Sequence, residues 1–196
     1  MNIFRPDFHP PQTFESEAVV IFPTNEAFYL SDHEAVMRSK EGLRVWSQSP
    51  WPEDSFTPEQ NREDLLLHVA DNKNHEAYGY MIYSPDRKTC FGSLYVNPLA
   101  GLSENYSLSA AEAQSLGGFD ARLDYWVVDG EPALEKQITE SVRDWLNEGW
   151  NIQPLFACRR EMRERQAIYQ SLGFELFLDL TGKSPDSNLM LFKLAP

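Results

Sequence analysis

The stretch that decides the fold is Pro154 to Leu180, PLFACRREMRERQAIYQSLGFELFLDL. Leu155 to Cys158 is an apolar run of strand length, followed by a charged segment in which Ala167, Ile168 and Leu172 fall on one side of a helix. That helix has a stop signal at Gly173, because a glycine takes the left-handed cap conformation without a Cβ penalty. Phe174 opens a second strand-like run that reaches Leu180. The unit therefore reads strand, helix, Gly-Phe, strand.

Working back toward the N-terminus, Ala133 to Asn147 places Leu134, Ile138, Val142, Trp145 and Leu146 at helical spacing, an amphipathic helix. The turn Asp129-Gly130-Glu131-Pro132 and the strand Ala121 to Val128, ARLDYWVV, precede it. Pro98 to Gly118 is an irregular link in which Ser109 to Leu116 can form a short helix. Ala77 to Ser84 and Thr89 to Asn97 form a hairpin around Pro85-Asp86-Arg87-Lys88. Thr57-Pro58-Glu59-Gln60 is a capping box with proline at the first helical position, opening a helix to about Ala70. Ser31-Asp32-His33-Glu34 fits the same box and predicts a short helix through Ser39. Between these two helices, residues 46–56 are a proline-rich loop with Trp46, Trp51 and Phe56. Ala18 to Phe22 is the first strand and Leu189 to Leu194 the last. Residues 1–17 hold three prolines and no periodicity and read as a loose N-terminal arm; residues 18–196 read as a single domain.

Composition narrows the function classes. A chain of 196 residues with 42% apolar and 13% aromatic content can bury a sizeable core. Thirty acidic residues against 17 basic ones give a net charge of −13, a field that repels nucleic acid and anionic membranes. A cationic or neutral substrate suits that field, although an acidic surface also serves solubility alone. The N-terminus lacks the apolar segment of a secretory signal, and no run approaches the roughly 18 apolar residues of a membrane span. The expectation is a cytoplasmic protein with no membrane or nucleic-acid partner. Cys90 and Cys158 lie inside apolar runs and read as free buried thiols, with no metal site. His9, His33, His68 and His75 are scattered, without metal spacing, and read as surface or capping residues. Gly182-Lys183-Ser184 has Phe177 where a phosphate-binding loop needs its first glycine.

The core Tyr169-x-x-x-Gly173-Phe174 resembles the C-terminal motif of the GCN5-related N-acetyltransferase (GNAT) superfamily. The order of elements from about residue 18 resembles that family too. The resemblance implies an α/β (α+β) fold with a central mixed, twisted sheet of about six to seven strands flanked by about four helices. The family's sheet splays between its fourth and fifth strands, here Ala121 to Val128 and Leu155 to Cys158, and acetyl-CoA lies in the wedge as co-substrate. By the same resemblance the backbone of Trp126, Val127 and Val128 contacts the coenzyme, and Tyr169 donates a proton to the departing thiolate. ARLDYWVV looks like the family's fourth strand, in which a Tyr-Trp pair is frequent among members that acetylate protein N-termini and small amines. Asp124 shares a strand face with Arg122 and Trp126 and is the candidate base; a structural pair with Arg122 explains it as well.

Two departures from the family stand out. Its pyrophosphate loop, Gln/Arg-x-x-Gly-x-Gly/Ala, is replaced by Asp129-Gly130-Glu131-Pro132, with acidic Asp129, Glu131 and Glu135 where a diphosphate would sit. Met162 and Arg165 stand where many members have asparagine and alanine. Arg159, Arg160, Arg163 and Arg165 form a cluster with two readings. It can take over the phosphates, or it can be a solvated helix start with Arg160–Glu164 and Glu161–Arg165 pairs. The expected activity is acetyl transfer from acetyl-CoA to a primary amine of a small molecule or peptide by direct attack. The alternative is a GNAT-fold binding or regulatory protein that has lost coenzyme A. A homodimer is left open.

Overall fold

The computed structural model describes residues 2–195. Its strands are β1 (Phe14–Glu15), β2 (Val20–Pro23), β3 (Tyr78–Tyr83), β4 (Cys90–Asn97), β5 (Ala121–Val127), β6 (Pro154–Cys158), β7 (Phe174–Thr181) and β8 (Asn188–Leu194). They form one mixed eight-stranded sheet in the order β1-β2-β3-β4-β5-β6-β8-β7. The helices are α1 (Tyr29–Arg38), α2 (Lys40–Ser47), α3 (Pro58–Asn74), α4 (Leu102–Asn105), α5 (Ala110–Ser115), α6 (Pro132–Trp145) and α7 (Arg163–Ser171). Among the described residues no helix is long and apolar enough to cross a membrane.

The parallel pair is β5 with β6, and α6 makes the crossover that a parallel connection requires. Alternation along β4 and β5 separates the two faces. Tyr95 and Asp124 face α3, whereas Tyr125 and Leu123 face the other side, where the Tyr125 hydroxyl meets Thr139 of α6 at 2.7 Å. The interior of the sheet is apolar on both sides. Tyr78, Tyr80, Met81, Leu94, Leu123 and Tyr125 are buried, as expected of central strands covered on both faces.

Among the described residues the sheet has one strand more than the six to seven expected, and the α-helices number seven rather than about four. The added elements β1, α2 and α4 are short, and α5 is the short helix expected at Ser109 to Leu116. The Thr57 box forms with both reciprocal bonds, at 2.9 and 3.2 Å. The Ser31 box does not. The helix starts three residues earlier, after a 3-10 turn capped by the Asn25 side chain on Ala27 N–H. Ser31 then lies inside the first turn, with Oγ 3.1 Å from the Phe28 carbonyl and 2.8 Å from the Tyr83 hydroxyl. Packing of Phe28 on Phe22 and Tyr83 fixes this earlier start.

The arm is a strap rather than a loose segment. Ile3 is buried, and its carbonyl accepts the Tyr78 hydroxyl at 2.7 Å. The Pro11 carbonyl accepts the Tyr80 hydroxyl at 2.8 Å. Phe4 stacks on Tyr78 and Phe8 packs on Trp150.

Candidate active site

The register of β5 and β6 runs from Ala121↔Pro154 to Leu123↔Phe156 and ends there. Beyond it β6 stays with β8 while β5 continues along β4, so the sheet opens between Asp124 and Ala157. This is the splay that the family resemblance implies, at the two strands it designates. Val128 N–H donates to the Phe91 carbonyl at 2.9 Å, toward β4. Alternation then turns the backbone groups of Trp126 toward β4 as well, and those of Tyr125 and Val127 toward the opening.

Side chains of this chain fill the tip of the opening. Arg165, 3% exposed, donates through Nη1 to the Tyr125 carbonyl at 2.6 Å, pairs with Glu135 and lies 4.4 Å over the Tyr125 ring. Tyr169, 0% exposed, donates to the Ala157 carbonyl at 3.1 Å and is walled by Phe156, Phe174 and Phe192. Burial pushes the Tyr169 hydroxyl well above its ordinary pKa and that of Tyr125 up to about 12.

The other three arginines are dispersed. Arg159 ties the Trp46 carbonyl (2.8 Å), the Tyr106 hydroxyl (3.0 Å) and the Asn188 carbonyl (2.9 Å) together. Arg160 pairs with Asp179 at 2.7 Å rather than with Glu164. Arg163 reaches the mouth of the opening, with one bond of 3.3 Å to Gln166.

That mouth is a cavity of about 430 Å³ between α2, the start of α6 and the start of α7. Leu43, Val45 and Met162 give it apolar walls, and Asp129, Glu131, Glu135, Glu161 and Glu164 give it carboxylates. Asp129 accepts Gly42 N–H at 3.2 Å, and burial raises its pKa. Coenzyme A, which the fold family implies, would lie here. The apolar walls and the Val127 backbone suit its pantetheine arm. A diphosphate suits the mouth badly. Pro132 removes one donor from the start of α6, and the carboxylates repel phosphate.

On the other face of β5 lies a second cavity, of about 490 Å³, bounded by α1, α2, α3, β4 and β5. Trp46, Trp51, Tyr95 and Trp126 are its aromatic walls, and Trp46 and Trp126 also line the first cavity. Phe56 stands behind Trp51, with rings 5.9 Å apart. Asp124 is buried here, held by Arg122 Nε at 2.6 Å and Asn97 Nδ2 at 2.8 Å. Asp32 accepts Asn61 Nδ2 at 2.9 Å, and burial raises its pKa. Asp64, His68 and Asp71 line the cavity from α3 at spacings of four and three, one helix face. The residue-by-residue reading of four scattered histidines missed this stripe; the helical period of its neighbours is the signal that finds it.

The sequence matches no protein-family model and no curated protein. Solved structures do match. A RimL ribosomal L7/L12 α-N-protein acetyltransferase in complex with coenzyme A is 14% identical with a TM-score of 0.67, covering 92% of this chain and 96% of that one. The ribosomal-protein-S5-alanine acetyltransferase of Vibrio fischeri is 16% identical at 0.64, covering 93% and 95%. Mycobacterium smegmatis RimJ, in complex with a coenzyme A disulfide, is 14% identical at 0.63, covering 98% and 88%. Identity this low speaks for architecture, and with the splay between β5 and β6 it identifies the fold: the chain has the fold of the GCN5-related N-acetyltransferase superfamily.

Proposed function

We propose that the protein transfers an acetyl group from acetyl-CoA to the amine of a cationic small molecule or peptide. The observation that carries this reading is that β5 walls two cavities at the point where the sheet opens, with Trp46 and Trp126 common to both. A donor and an acceptor entering from opposite faces would meet there. Leu43, Val45, Met162 and the Val127 backbone would hold the pantetheine arm. Bound acetyl-CoA supplies an activated carbonyl and a thiolate leaving group. The Val127 N–H faces the opening and can polarise that carbonyl. The acidic, aromatic cavity would draw in the ammonium form of the acceptor and exclude anions. For Tyr169 to serve as proton donor, its hydroxyl must leave the Ala157 carbonyl. Asp124, paired with Arg122 and Asn97, orients the cavity wall in this reading.

A second reading, a GNAT-fold binding protein without coenzyme use, is favoured by one observation. Arg165 and Glu135 occupy the tip of the wedge while carboxylates occupy its mouth. Isothermal titration with acetyl-CoA separates the two. Saturable heat followed by thiol release on adding primary amines supports transfer. Absence of heat at millimolar acetyl-CoA leaves the binding reading.

A further inference from the structure

His68 sits in the acceptor cavity with its ring against Tyr95, centroids 4.8 Å apart. Asp64 and Asp71 flank it on α3, and Asp71 Oδ2 is 3.8 Å from Nδ1. Neither ring nitrogen has a hydrogen-bond partner among the described residues. From β5 the cavity presents the Arg122–Asp124 pair, which is internally neutralised, and from α1 it presents Asp32. Arg159 contributes the remaining positive charge from beyond β6, and three neutral oxygens already engage it. The imidazole is thus an uncommitted acceptor among groups that favour a cation, beside aromatic faces that can hold an ammonium.

We infer that His68 receives the acceptor's primary ammonium group: its free ring nitrogen takes a hydrogen bond from the bound R–NH₃⁺ and, in transfer, one proton. The step balances as R–NH₃⁺ plus neutral imidazole giving R–NH₂ plus imidazolium. The N–H electron pair stays on nitrogen as the lone pair that acyl transfer consumes, and the imidazolium then releases its proton through the open side of the cavity. Burial lowers the His68 pKa, so the ring is neutral and able to accept at pH 7. Asp71 and Asp64 oppose that shift and would stabilise the imidazolium once formed. The catalytic half of this inference rests on the acetyl-transfer reading; the ammonium site does not.

The test uses the full chain with ¹⁵N-labelled histidine, titrated from pH 5 to pH 8. Butylamine is the probe, butanol the neutral control, and sodium chloride matches ionic strength; His68→Gln assigns the signal. A bound cation should lower the protonation constant of His68 by about fivefold or more, and butanol should not. No difference between butylamine and butanol overturns the site. In a parallel thiol-release assay with acetyl-CoA and butylamine, His68→Gln should lower kcat by about 10²–10⁴ with little change in KM. It should also lose the acid limb of the pH profile. Equal kcat in His68→Gln overturns the base role. A wild type that releases no thiol, yet shows the cation-specific fall at His68, retains the ammonium site and eliminates acetyl transfer.

Discussion

The two cavities along β5 share a strand and a pair of tryptophans but are finished in opposite ways. On the α3 side, the polar groups behind the aromatic walls are tied back: Asp124 to Arg122, and Asp32 to Asn61. On the α7 side, the backbone opens just as far as the end of pairing dictates, and then Arg165 and Glu135 fill the space. A splayed sheet therefore makes a groove only when the residues above it are small. One arginine, Arg165, closes the tip of the opening and leaves the cavity at its mouth.

Separating that pair should have the largest effect. Arg165→Ala leaves Glu135 beside an emptied, half-polar space and frees the Tyr125 carbonyl. Breaking a buried pair costs about 3–5 kcal/mol, so the urea midpoint should fall sharply. Arg165→Ala with Glu135→Ala should recover part of the loss and, with the tip cleared, bind acetyl-CoA more tightly than the parent by calorimetry. A single variant as stable as wild type would remove the contrast between the two sides.

The mouth is next. Replacing Asp129, Glu131 and Glu164 by Asn, Gln and Gln keeps hydrogen bonding and removes three charges near the start of α6. Acetyl-CoA binding should tighten by about tenfold at low salt, as expected for helix-end charges, and the gain should shrink as salt is added. Affinity that does not move would place the phosphates elsewhere.

Tyr169→Phe sharpens the comparison at the tip. The hydroxyl is buried on the Ala157 carbonyl, so its loss should cost about 1 kcal/mol of stability and leave thiol release unchanged. A rate loss of about 10²–10⁴ at constant melting temperature would instead put this hydroxyl at the sulfur.

Asp32 gives a slope rather than a step. Its folded pKa is raised by burial above the ordinary 3.8, so the native state holds that proton more tightly than the unfolded chain does. Stability from this group is full below 3.8 and is lost as pH rises through the folded value. Asp32→Asn, which keeps an acceptor for Asn61, should gain stability relative to wild type between pH 4 and pH 7 in urea titrations. A difference that does not vary with pH would show that Asp32 is charged throughout.

What could be read beforehand was whatever depends on local pattern. The strand from Leu155, the Gly173 stop and the Thr57 cap are all set by neighbours a few residues away. Helix α2 escaped notice because Gly42 weakens its helical pattern; in the structure Gly42 lets the Asp129 carboxylate come close and bonds it through its N–H. Glu135 and Arg165 are 30 residues apart in sequence, and nothing local announces their meeting. The arginine cluster was legible as a cluster and not as separate assignments, because three of the four guanidiniums found a distant oxygen, on Trp46, Asp179 and Tyr125. Only Arg163 was left for the mouth.

The strap has a consequence in time. Ile3, Phe8 and Pro11 bind a surface made by Tyr78, Tyr80 and Trp150, so the early segment leaves the ribosome long before its seat exists. At about 5–20 residues per second, the wait for Trp150 is on the order of ten seconds. During that interval Phe4, Phe8 and Phe14 are exposed aromatic residues on a nascent chain, available to chaperones. Docking of the strap is then a closing event of biosynthesis, and a fusion partner placed ahead of residue 3 would have to leave that closure free.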